Sequence, residues 1–330
     1  MFSPKICNVG FLSLYAATLF MRFATASYVL SKTYDQTNFF DSFAFRDFPD
    51  PTKGFVTYVD KATALSAGLA KIVNGKVYLG ADNTTVLSPQ GPGRRSVRLE
   101  SIDTFNNGLL VGDFDHMPGN ACGIWPSFWT LNNAAKPTYG EIDIVEGVAL
   151  QNYNDISMYT GAKCNMEVGS RQVTSINPRK NCTLSTTGAS GCGVTNAAGT
   201  FGDEFNAHGG GVWALQLESD AVRIFFFPRA EIPADLASGN PNPAGWGNAV
   251  LDFEPSNCDI AEAWSVLEIV FNITFCGESA GGDKPWSVWT NCKAKTGVYT
   301  CEDYVAQNPA VFDEAYFLIN SVKLFQQQYL

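Results

Sequence analysis

The sequence predicts an all-β fold, either an antiparallel sandwich or a barrel, and three observations lead to this prediction. Short runs rich in β-branched and aromatic residues recur along the chain, separated by turn-rich stretches such as 88–93 and 240–243. No run has the period of a long amphipathic helix. With 330 residues, the chain is long enough to bury a substantial core in one β domain.

The predicted strands follow one another from residue 54 to residue 325. They are 54–58, 76–79, 96–102, 108–115, 141–145, 156–159, 212–217, 221–227, 266–275 and 317–325. Residues 60–70 are predicted to be a short helix or a loop along a sheet edge. Residues 188–199, which include Cys192, are predicted to be a surface loop held by a disulfide. No internal repeat or long Pro/Ser-rich linker divides the chain, so we expect residues 27–330 to form one domain.

Residues 1–26 are predicted to be a secretory signal peptide and not part of the fold. Lys5 provides a short basic region, an apolar stretch covers Ile6 to Met21, and Ala24-Thr25-Ala26 provides the small residues that signal peptidases require. The alternative is a membrane anchor, but polar residues interrupt the stretch and leave it short for a span. We therefore expect a secreted, extracellular protein.

The cysteine count also indicates secretion. Of nine cysteines, Cys7 lies in the predicted signal, and the remaining eight are an even number that suggests up to four disulfides. These eight are Cys122, Cys164, Cys182, Cys192, Cys258, Cys276, Cys292 and Cys301. The sequence leaves their pairing open, and no C-x-x-C spacing favours zinc. Glycosylation sequons begin at Asn83, Asn181 and Asn272, which predicts surface positions for them.

The charge balance excludes some classes of partner. The chain has 22 basic and 32 acidic residues and a net charge of −10; without the predicted signal the value is about −12. This charge argues against nucleic acid and anionic membranes as partners. It is compatible with a neutral substrate in an acidic medium, and we expect a monomer.

Several catalytic classes lack their residues. The chain has two histidines, His116 and His208, and no G-x-S-x-G sequence, which argues against Ser–His–Asp catalysis. Both histidines are expected to be structural or surface residues. There is no P-loop or dinucleotide fingerprint, and no EF-hand loop supports a structural Ca²⁺. We expect no cofactor and no metal.

Three carboxylates in the sequence GEIDIVEGV, residues 140–148, are the candidate catalytic groups. Side chains alternate along a strand, so Glu141 and Asp143 share one face while the isoleucines between them point into a core. Glu146 is out of phase by one residue, and a β-bulge would return it to the acidic face. Neighbouring carboxylates raise one another's pKa, which suits the ionised and protonated pair that retaining glycoside hydrolysis needs. The alternative is an ordinary strand with its polar face in water.

Aromatic residues next to this strand are candidates for sugar binding. Trp125 and Trp129 lie four residues apart in GIWPSFW and share a face if this stretch is a strand. The apolar CH faces of sugars stack on such rings. Trp246 stands among loop residues and is expected to form part of a cleft wall. Core packing is the alternative for Trp125 and Trp129. The other tryptophans, assigned to core or surface, are Trp213, Trp264, Trp286 and Trp289.

Three stretches resemble fungal members of glycoside hydrolase family 16, close to the laminarinase-type endo-1,3(4)-β-glucanases. They are DHMPG at 115–119, GIWPSFW at 123–129 and GEIDIVEGV at 140–148. Further resemblance lies at 54–69, 94–101, 205–215, 223–236, 256–260 and 271–277, so that it covers about residues 28–325. It implies an all-β jelly-roll sandwich of two curved antiparallel sheets, with a substrate cleft across the concave face and one catalytic domain at 27–330.

The resemblance also implies a role for each carboxylate. Glu141 would be the nucleophile, Glu146 the acid/base, and Asp143 would hydrogen-bond the nucleophile. A raised pKa of Glu146 and an acidic optimum are expected. The substrate-binding candidates are Trp125, Trp129, Tyr159, Trp246 and Arg98.

Three positions depart from the pattern of the family. A tryptophan is usual where this chain has Lys136, a histidine where it has Tyr159, and a tryptophan where it has Ser279. In the family these positions belong to the cleft and not to the acid/base pair. The resemblance therefore implies retained chemistry and leaves the linkage preference open.

The sequence is compatible with three functions. The first is a secreted, extracellular or wall-associated endo-β-1,3(4)-glucanase that hydrolyses laminarin-type or mixed-linkage β-glucan with retention. The second is a transglycosylase of the same fold, in which a glucan chain replaces water. The third is a glucan-binding lectin, which would be expected to have lost one of the three carboxylates.

Overall fold

The computed structural model describes residues 26–135, 138–184 and 191–329. The predicted signal peptide, apart from Ala26, and Lys136 lie outside the described residues. Two large antiparallel sheets pack face to face in the predicted jelly-roll sandwich. The strands are β1 (Ala26–Tyr34), β2 (Phe43–Phe45), β3 (Val56–Tyr58), β4 (Ala70–Val73), β5 (Lys76–Gly80), β6 (Arg94–Ser96), β7 (Arg98–Ser101), β8 (Gly108–His116), β9 (Ile124–Asn132), β10 (Gly140–Glu146), β11 (Tyr153–Thr160), β12 (Met166–Val168), β13 (Ile176–Arg179), β14 (Cys192–Ala198), β15 (Gly211–Leu217), β16 (Val222–Pro228), β17 (Leu251–Pro255), β18 (Glu268–Phe275) and β19 (Tyr316–Tyr329).

The helices are short and lie in the connections between strands. They are α1 (Phe39–Ser42), α2 (Lys61–Ser66), α3 (Gly202–Ala207), α4 (Ala234–Ala237), α5 (Ile260–Ala263), α6 (Gly277–Ala280), α7 (Cys292–Thr296) and α8 (Cys301–Gln307), with 3₁₀ turns at Arg229–Glu231, Pro243–Gly245 and Pro309–Phe312 and a π turn at Pro285–Trp289. The helix predicted as one alternative within residues 60–70 is α2. Over the described ranges, no helix has the length and apolar character needed to cross a bilayer.

The two large sheets differ in what their outward faces carry. The groove sheet has the order β13-β14-β11-β10-β9-β18-β7-β2, and the back sheet has the order β12-β17-β16-β15-β8-β19-β5-β4, with β1 also paired to β19. The acidic strand β10 therefore lies in the middle of the groove sheet, with β9 on one side and β11 on the other. This central position makes its outward face the floor of a groove.

Alternation along the strands builds the core between the sheets. In β15, Trp213 and Leu215 point into the main core, while Val212 and Ala214 point to the other face of the back sheet. In β10, Ile142 enters the same main core, as the alternation predicted. A second, smaller apolar cluster covers the far face of the back sheet, on the side of the sandwich opposite the groove.

Four disulfides hold the connections, as many as the eight cysteines allow. The pairs are Cys122–Cys292, Cys164–Cys258, Cys182–Cys192 and Cys276–Cys301. Two of them fix the segment that contains α7 and α8 against the ends of β9 and β18. Because such bridges persist in oxidising compartments, their number is consistent with an exported protein.

The prediction of a surface loop at 188–199 is wrong for its second half. Residues 192–198 form β14, which pairs with β11 in the groove sheet and buries Cys192 and Val194. Residues 185–190 lie outside the described part of the chain. The glycines at 191, 193 and 199 suggested a loop, but Gly193 is needed because a Cβ there would lie 1.8 Å from the Ile156 carbonyl oxygen.

Candidate active site

The acidic strand β10 contains the β-bulge that its sequence predicts. In the pairing with β9, Asp143 lies opposite Trp129 and Val145 lies opposite Phe128, so one extra residue, Ile144, is inserted in β10. The alternation shifts by one residue after this point. As a result Glu141, Asp143 and Glu146 all line one groove.

A buried asparagine on β11 fixes the bulge. The Glu146 backbone N–H donates to Asn154 Oδ1 at 2.7 Å, and Asn154 Nδ2 donates to the Ile144 carbonyl at 2.7 Å. The Asn154 backbone N–H donates to Thr200 Oγ1 at 2.9 Å. One side chain thus replaces the strand hydrogen bonds that the extra residue removes, and this determines where the Glu146 side chain points.

We expect Asn154→Ala to lower both stability and turnover. The substitution leaves two buried backbone groups without partners, which costs about 1–3 kcal/mol per group, and it releases the orientation of Glu146. The expected result is a lower melting temperature and a lower kcat with KM little changed. Asn152→Ala is the matched control, because Asn152 is exposed and contacts Glu204 instead. An unchanged kcat in Asn154→Ala would contradict the proposed role.

Glycines bound the acidic strand because other chain segments approach closely there. A Cβ at Gly140 would lie 2.6 Å from the Ala263 carbonyl oxygen, and one at Gly147 would lie 2.4 Å from the Phe201 ring. The buried Trp264 passes beside Gly140 and donates its indole N–H to the carbonyls of Glu141 and Tyr159, each at 3.1 Å. These contacts fix β10 to β11 beneath the groove.

Glu141 is surrounded by groups that favour its ionised form. Burial raises its pKa, whereas the Tyr139 hydroxyl donates to Glu141 Oε2 and the Arg98 guanidinium lies near enough to lower the pKa. Burial and the charges of Glu141 and Glu146 raise the pKa of Asp143 well above its usual value. A protonated Asp143 donates a hydrogen bond to Glu141 and so keeps the negative charge on Glu141.

Of the two glutamates, Glu146 is the one better suited to carry a proton near neutral pH. Burial, together with the charge of Glu141, raises the pKa of Glu146 to about 7. The indole N–H of Trp125 donates to Glu146 Oε1 at 2.7 Å and opposes this shift. The hydrogen bond occupies one carboxyl oxygen and leaves the other to hold the proton. The site therefore pairs Glu141, whose neighbours oppose the effect of burial and favour ionisation, with Glu146, whose pKa burial and a neighbouring charge raise to about 7.

The groove extends to both sides of the three carboxylates. Its first lobe, with a cavity volume of about 230 Å³, runs over β9, β18 and β7 and is lined by Arg98, Trp129 and Asn272. Its second lobe, of about 740 Å³, runs over β11 and β13 and is lined by Tyr159 and Trp289, among others. Both lobes share Trp125 and the carboxylates.

Four of the five predicted substrate-binding residues lie in this groove. Trp125 and Trp129 share the outward face of β9 and are partly exposed. Tyr159 lines the second lobe. Arg98 lies in the first lobe, where its guanidinium is 5.0 Å from the centroid of the Trp129 ring and pairs with Glu100 at 2.9 Å. Their contact with substrate stays a prediction.

The prediction that Trp246 forms part of the cleft wall is wrong. Trp246 packs in the second apolar cluster, on the face of the back sheet remote from the groove. Its ring meets Phe225 and Phe227 edge-on at 5.1 and 5.2 Å, and its indole N–H donates to the carboxylate of Asp235. The neighbouring glycines and prolines indicated a loop, but a loop can fold over either face of a sandwich.

Asn272 is not a surface position, which corrects the prediction made from its sequon. It is 7% exposed on the groove floor and accepts the indole N–H of Trp129 at 2.7 Å. The alternation of β18 places Asn272 on the groove face, because Ile273 and the other apolar residues at odd positions point into the core. Alternation also places Tyr139 on the same face as Glu141, because the two residues are two positions apart.

Neither histidine takes part in the site. His116 lies in the back sheet, stacked on Tyr316 at 3.8 Å and hydrogen-bonded to Glu314 at 2.8 Å. His208 is exposed at the end of α3. These positions agree with the structural or surface roles predicted for them. In the part of the chain that the structure describes, no cluster of three or more His, Cys, Asp or Glu side chains is arranged to hold a metal ion.

An antiparallel sandwich with paired glutamates between aromatic side chains in an open groove is an arrangement that glycoside hydrolases use. The comparisons agree with this class. A family model described as "XgeA-like, catalytic GH16 domain" matches residues 43–325, and the chain belongs to glycoside hydrolase family 16.

Relatives and solved structures cover most of this chain. A probable endo-1,3(4)-β-glucanase of Aspergillus fumigatus is 40% identical over 328 residues, which are 98% of this chain and 50% of that protein. Laminarinase 16A from Phanerochaete chrysosporium, solved with two β-glucans in its donor and acceptor sites, is 39% identical with a TM-score of 0.83. An elongating family 16 β-1,3-glucosyltransferase is 37% identical with a TM-score of 0.81. Both structures cover 91% of this chain and are themselves fully covered, whereas the chain spans about half the length of the Aspergillus relatives.

Proposed function

We propose that this protein is an endo-β-1,3(4)-glucanase that hydrolyses β-glucan with retention of anomeric configuration. The observation that carries the proposal is the bulge in β10, which brings Glu141 and Glu146 to one groove with different protonation preferences. The names of the relatives and the two β-glucans bound by Laminarinase 16A support β-glucan as the substrate.

In the proposed reaction each glutamate has two tasks. Glu141 attacks the anomeric carbon while Glu146 donates its proton to the leaving glycosidic oxygen, which produces a covalent glycosyl-enzyme. Glu146, now ionised, takes a proton from water, and the resulting hydroxide attacks the same carbon and releases Glu141. Protonated Asp143 and the Tyr139 hydroxyl keep Glu141 ionised until it reacts.

We expect a bell-shaped dependence of kcat/KM on pH, with its maximum in the acidic range. Glu146 must be protonated in the first step, so the rate falls as the pH rises through about 7. Glu141 must be ionised, and burial raises its pKa. The rate therefore also falls as the pH drops through the pKa of Glu141. The check is kcat/KM on linear β-1,3-glucan from about pH 3 to about pH 9, with the folded state verified at each pH. A rate still rising at the alkaline end would contradict the assignment.

The extension of the groove to both sides of the carboxylates favours cleavage inside a chain. An endo-enzyme needs room for glucosyl residues on either side of the bond, and both lobes provide it. The test is incubation with linear β-1,3-glucan, mixed-linkage β-1,3-1,4-glucan and β-1,6-branched glucan, followed by separation of the products by length. Internal shortening of at least one polymer is the expected result. Release of single sugars from chain ends would contradict it.

Transglycosylation is the second candidate, favoured by the likeness to a β-1,3-glucosyltransferase. The two reactions share the covalent intermediate and differ in whether water or a glucan hydroxyl resolves it. The large second lobe gives a glucan acceptor room. Products longer than the substrate would identify this activity. Binding without new chain ends would identify the lectin, which the three retained carboxylates disfavour.

The setting proposed for this activity is extracellular. Four disulfides support secretion, and the net charge of −10 suits a neutral polysaccharide. We propose that the protein acts as a monomer without a cofactor. Size-exclusion chromatography at several concentrations, and activity after treatment with a chelator, test these two statements.

A further inference from the structure

The second lobe of the groove ends at an exposed tryptophan that the proposed reaction does not use. Trp289 is 67% exposed and lines this lobe together with Gln151 and Ser279. A large apolar side chain that stays in water contributes no burial free energy to folding. A tryptophan so exposed, at the end of a groove, is a candidate ligand contact.

The turn that carries Trp289 is held in place by several contacts. Trp286, in the same π turn, is buried and donates its indole N–H to the Val298 carbonyl at 3.1 Å. The Thr290 hydroxyl donates to the Pro285 carbonyl at 2.8 Å. Cys292, three residues after Trp289, is bridged to Cys122, which lies just before β9. The backbone that carries the Trp289 ring is therefore fixed before a ligand arrives, which lowers the entropy cost of binding.

A further cavity continues the groove past this tryptophan. It has a volume of about 580 Å³ and shares Val148, Gln151, Ser279 and Trp289 with the second lobe. Trp289 therefore stands between the two cavities, and Tyr153 lines the outer one. The other residues that line the outer cavity have mainly short or polar side chains. One broad aromatic face among hydrogen-bonding groups suits a sugar ring, which presents CH faces and equatorial hydroxyls.

The position of the acid/base Glu146 indicates that the second lobe holds the leaving part of the glucan. Gly147, Val148 and Gln151, which follow Glu146 in the chain, line the second lobe, whereas Tyr139, the partner of Glu141, lines the first. Since Glu146 protonates the leaving oxygen, the leaving part of the glucan extends on its side.

We propose that Trp289 forms a stacking site for a glucosyl residue of the leaving, or acceptor, portion of β-glucan, beyond the sugar next to the scissile bond. This inference rests on the proposed function and adds to it a residue that selects for chain length on the leaving side.

The experiment compares Trp289→Ala, Trp289→Phe and the parent protein on two kinds of substrate. One is a series of linear β-1,3-gluco-oligosaccharides of about four to eight units. The other is a nitrophenyl β-1,3-gluco-oligosaccharide, whose leaving group is a single ring. We expect Trp289→Ala to lower kcat/KM on the longest oligosaccharides about 3- to 10-fold and to leave the nitrophenyl substrate nearly unchanged. Trp289→Phe should recover most of the loss.

Tyr299→Ala is the matched control, because Tyr299 is similarly exposed but lines a separate cavity next to Lys293. Equal losses on both substrates would place Trp289 on the other side of the bond and overturn the inference, as would no loss on either. The Kd of the longest oligosaccharide is also measured by calorimetry in the Glu141→Ala variant, with and without Trp289→Ala. This measurement needs no turnover. A parent protein that neither cleaves nor binds these glucans would instead contradict the proposed function.

Discussion

Replacing Glu141 with alanine is expected to abolish turnover of β-glucan, with a loss in kcat of at least about 10⁴-fold. The reason is that burial favours the protonated forms of Asp143 and Glu146, the two other carboxyl groups of β10 in the groove, so neither is suited to replace Glu141 as the attacking group. The measurement is the release of reducing ends from linear β-1,3-glucan, compared with Asp143→Asn, for which we expect a smaller loss because that residue acts through Glu141.

An added nucleophile distinguishes loss of the attacking group from general damage. Azide or formate can enter the space that Glu141→Ala opens and attack an activated aryl glycoside directly. Because one displacement then replaces two, the glycosyl azide formed must have the α-configuration. Formation of the β-azide would mean that Glu141 is not the nucleophile. A failure of rescue combined with a lowered melting temperature would point to a structural role instead.

The alternation of side chains along a strand predicts much of the fold and the centre of the site, because it depends only on residues that are neighbours in the sequence. The order Glu141, Ile142, Asp143 defines two faces of β10, and the odd phase of Glu146 requires the bulge that the structure contains. The same rule predicts that Trp125 and Trp129 share one face, and both line the groove. Each of these predictions depends on neighbours within about five residues along the chain.

Features that depend on contacts between distant parts of the chain could not be predicted from the sequence. Asn154 fixes the bulge through contacts across a strand pair, and nothing in its local sequence marks it. Trp246 and Trp289 both lie among turn-forming residues, yet one folds onto the back sheet and the other stands at the groove. Which face a connecting segment covers is decided by tertiary packing, here including the Cys122–Cys292 bridge.

The Glu146→Gln variant is expected to lose about 10²- to 10⁴-fold in kcat on β-glucan, because the leaving oxygen no longer receives a proton. Glutamine keeps the size of the side chain and can still accept the indole N–H of Trp125, so the fold should be retained. A substrate with a dinitrophenolate leaving group needs no proton, and its first step should be nearly unaffected. On that substrate KM should fall, because the second step becomes slow and the covalent intermediate accumulates.

The pH profile gives an independent check on the same group. If Glu146, with its pKa of about 7, produces the alkaline limb of kcat/KM, then this limb should disappear in Glu146→Gln while the acidic limb, due to Glu141, remains. Azide added to Glu146→Ala should restore the second step and yield the β-azide, the opposite configuration to that expected from Glu141→Ala, because the covalent intermediate still forms. An alkaline limb that persists in Glu146→Gln would assign it to another residue, and the same azide configuration from both variants would show that the two glutamates do not have separate roles.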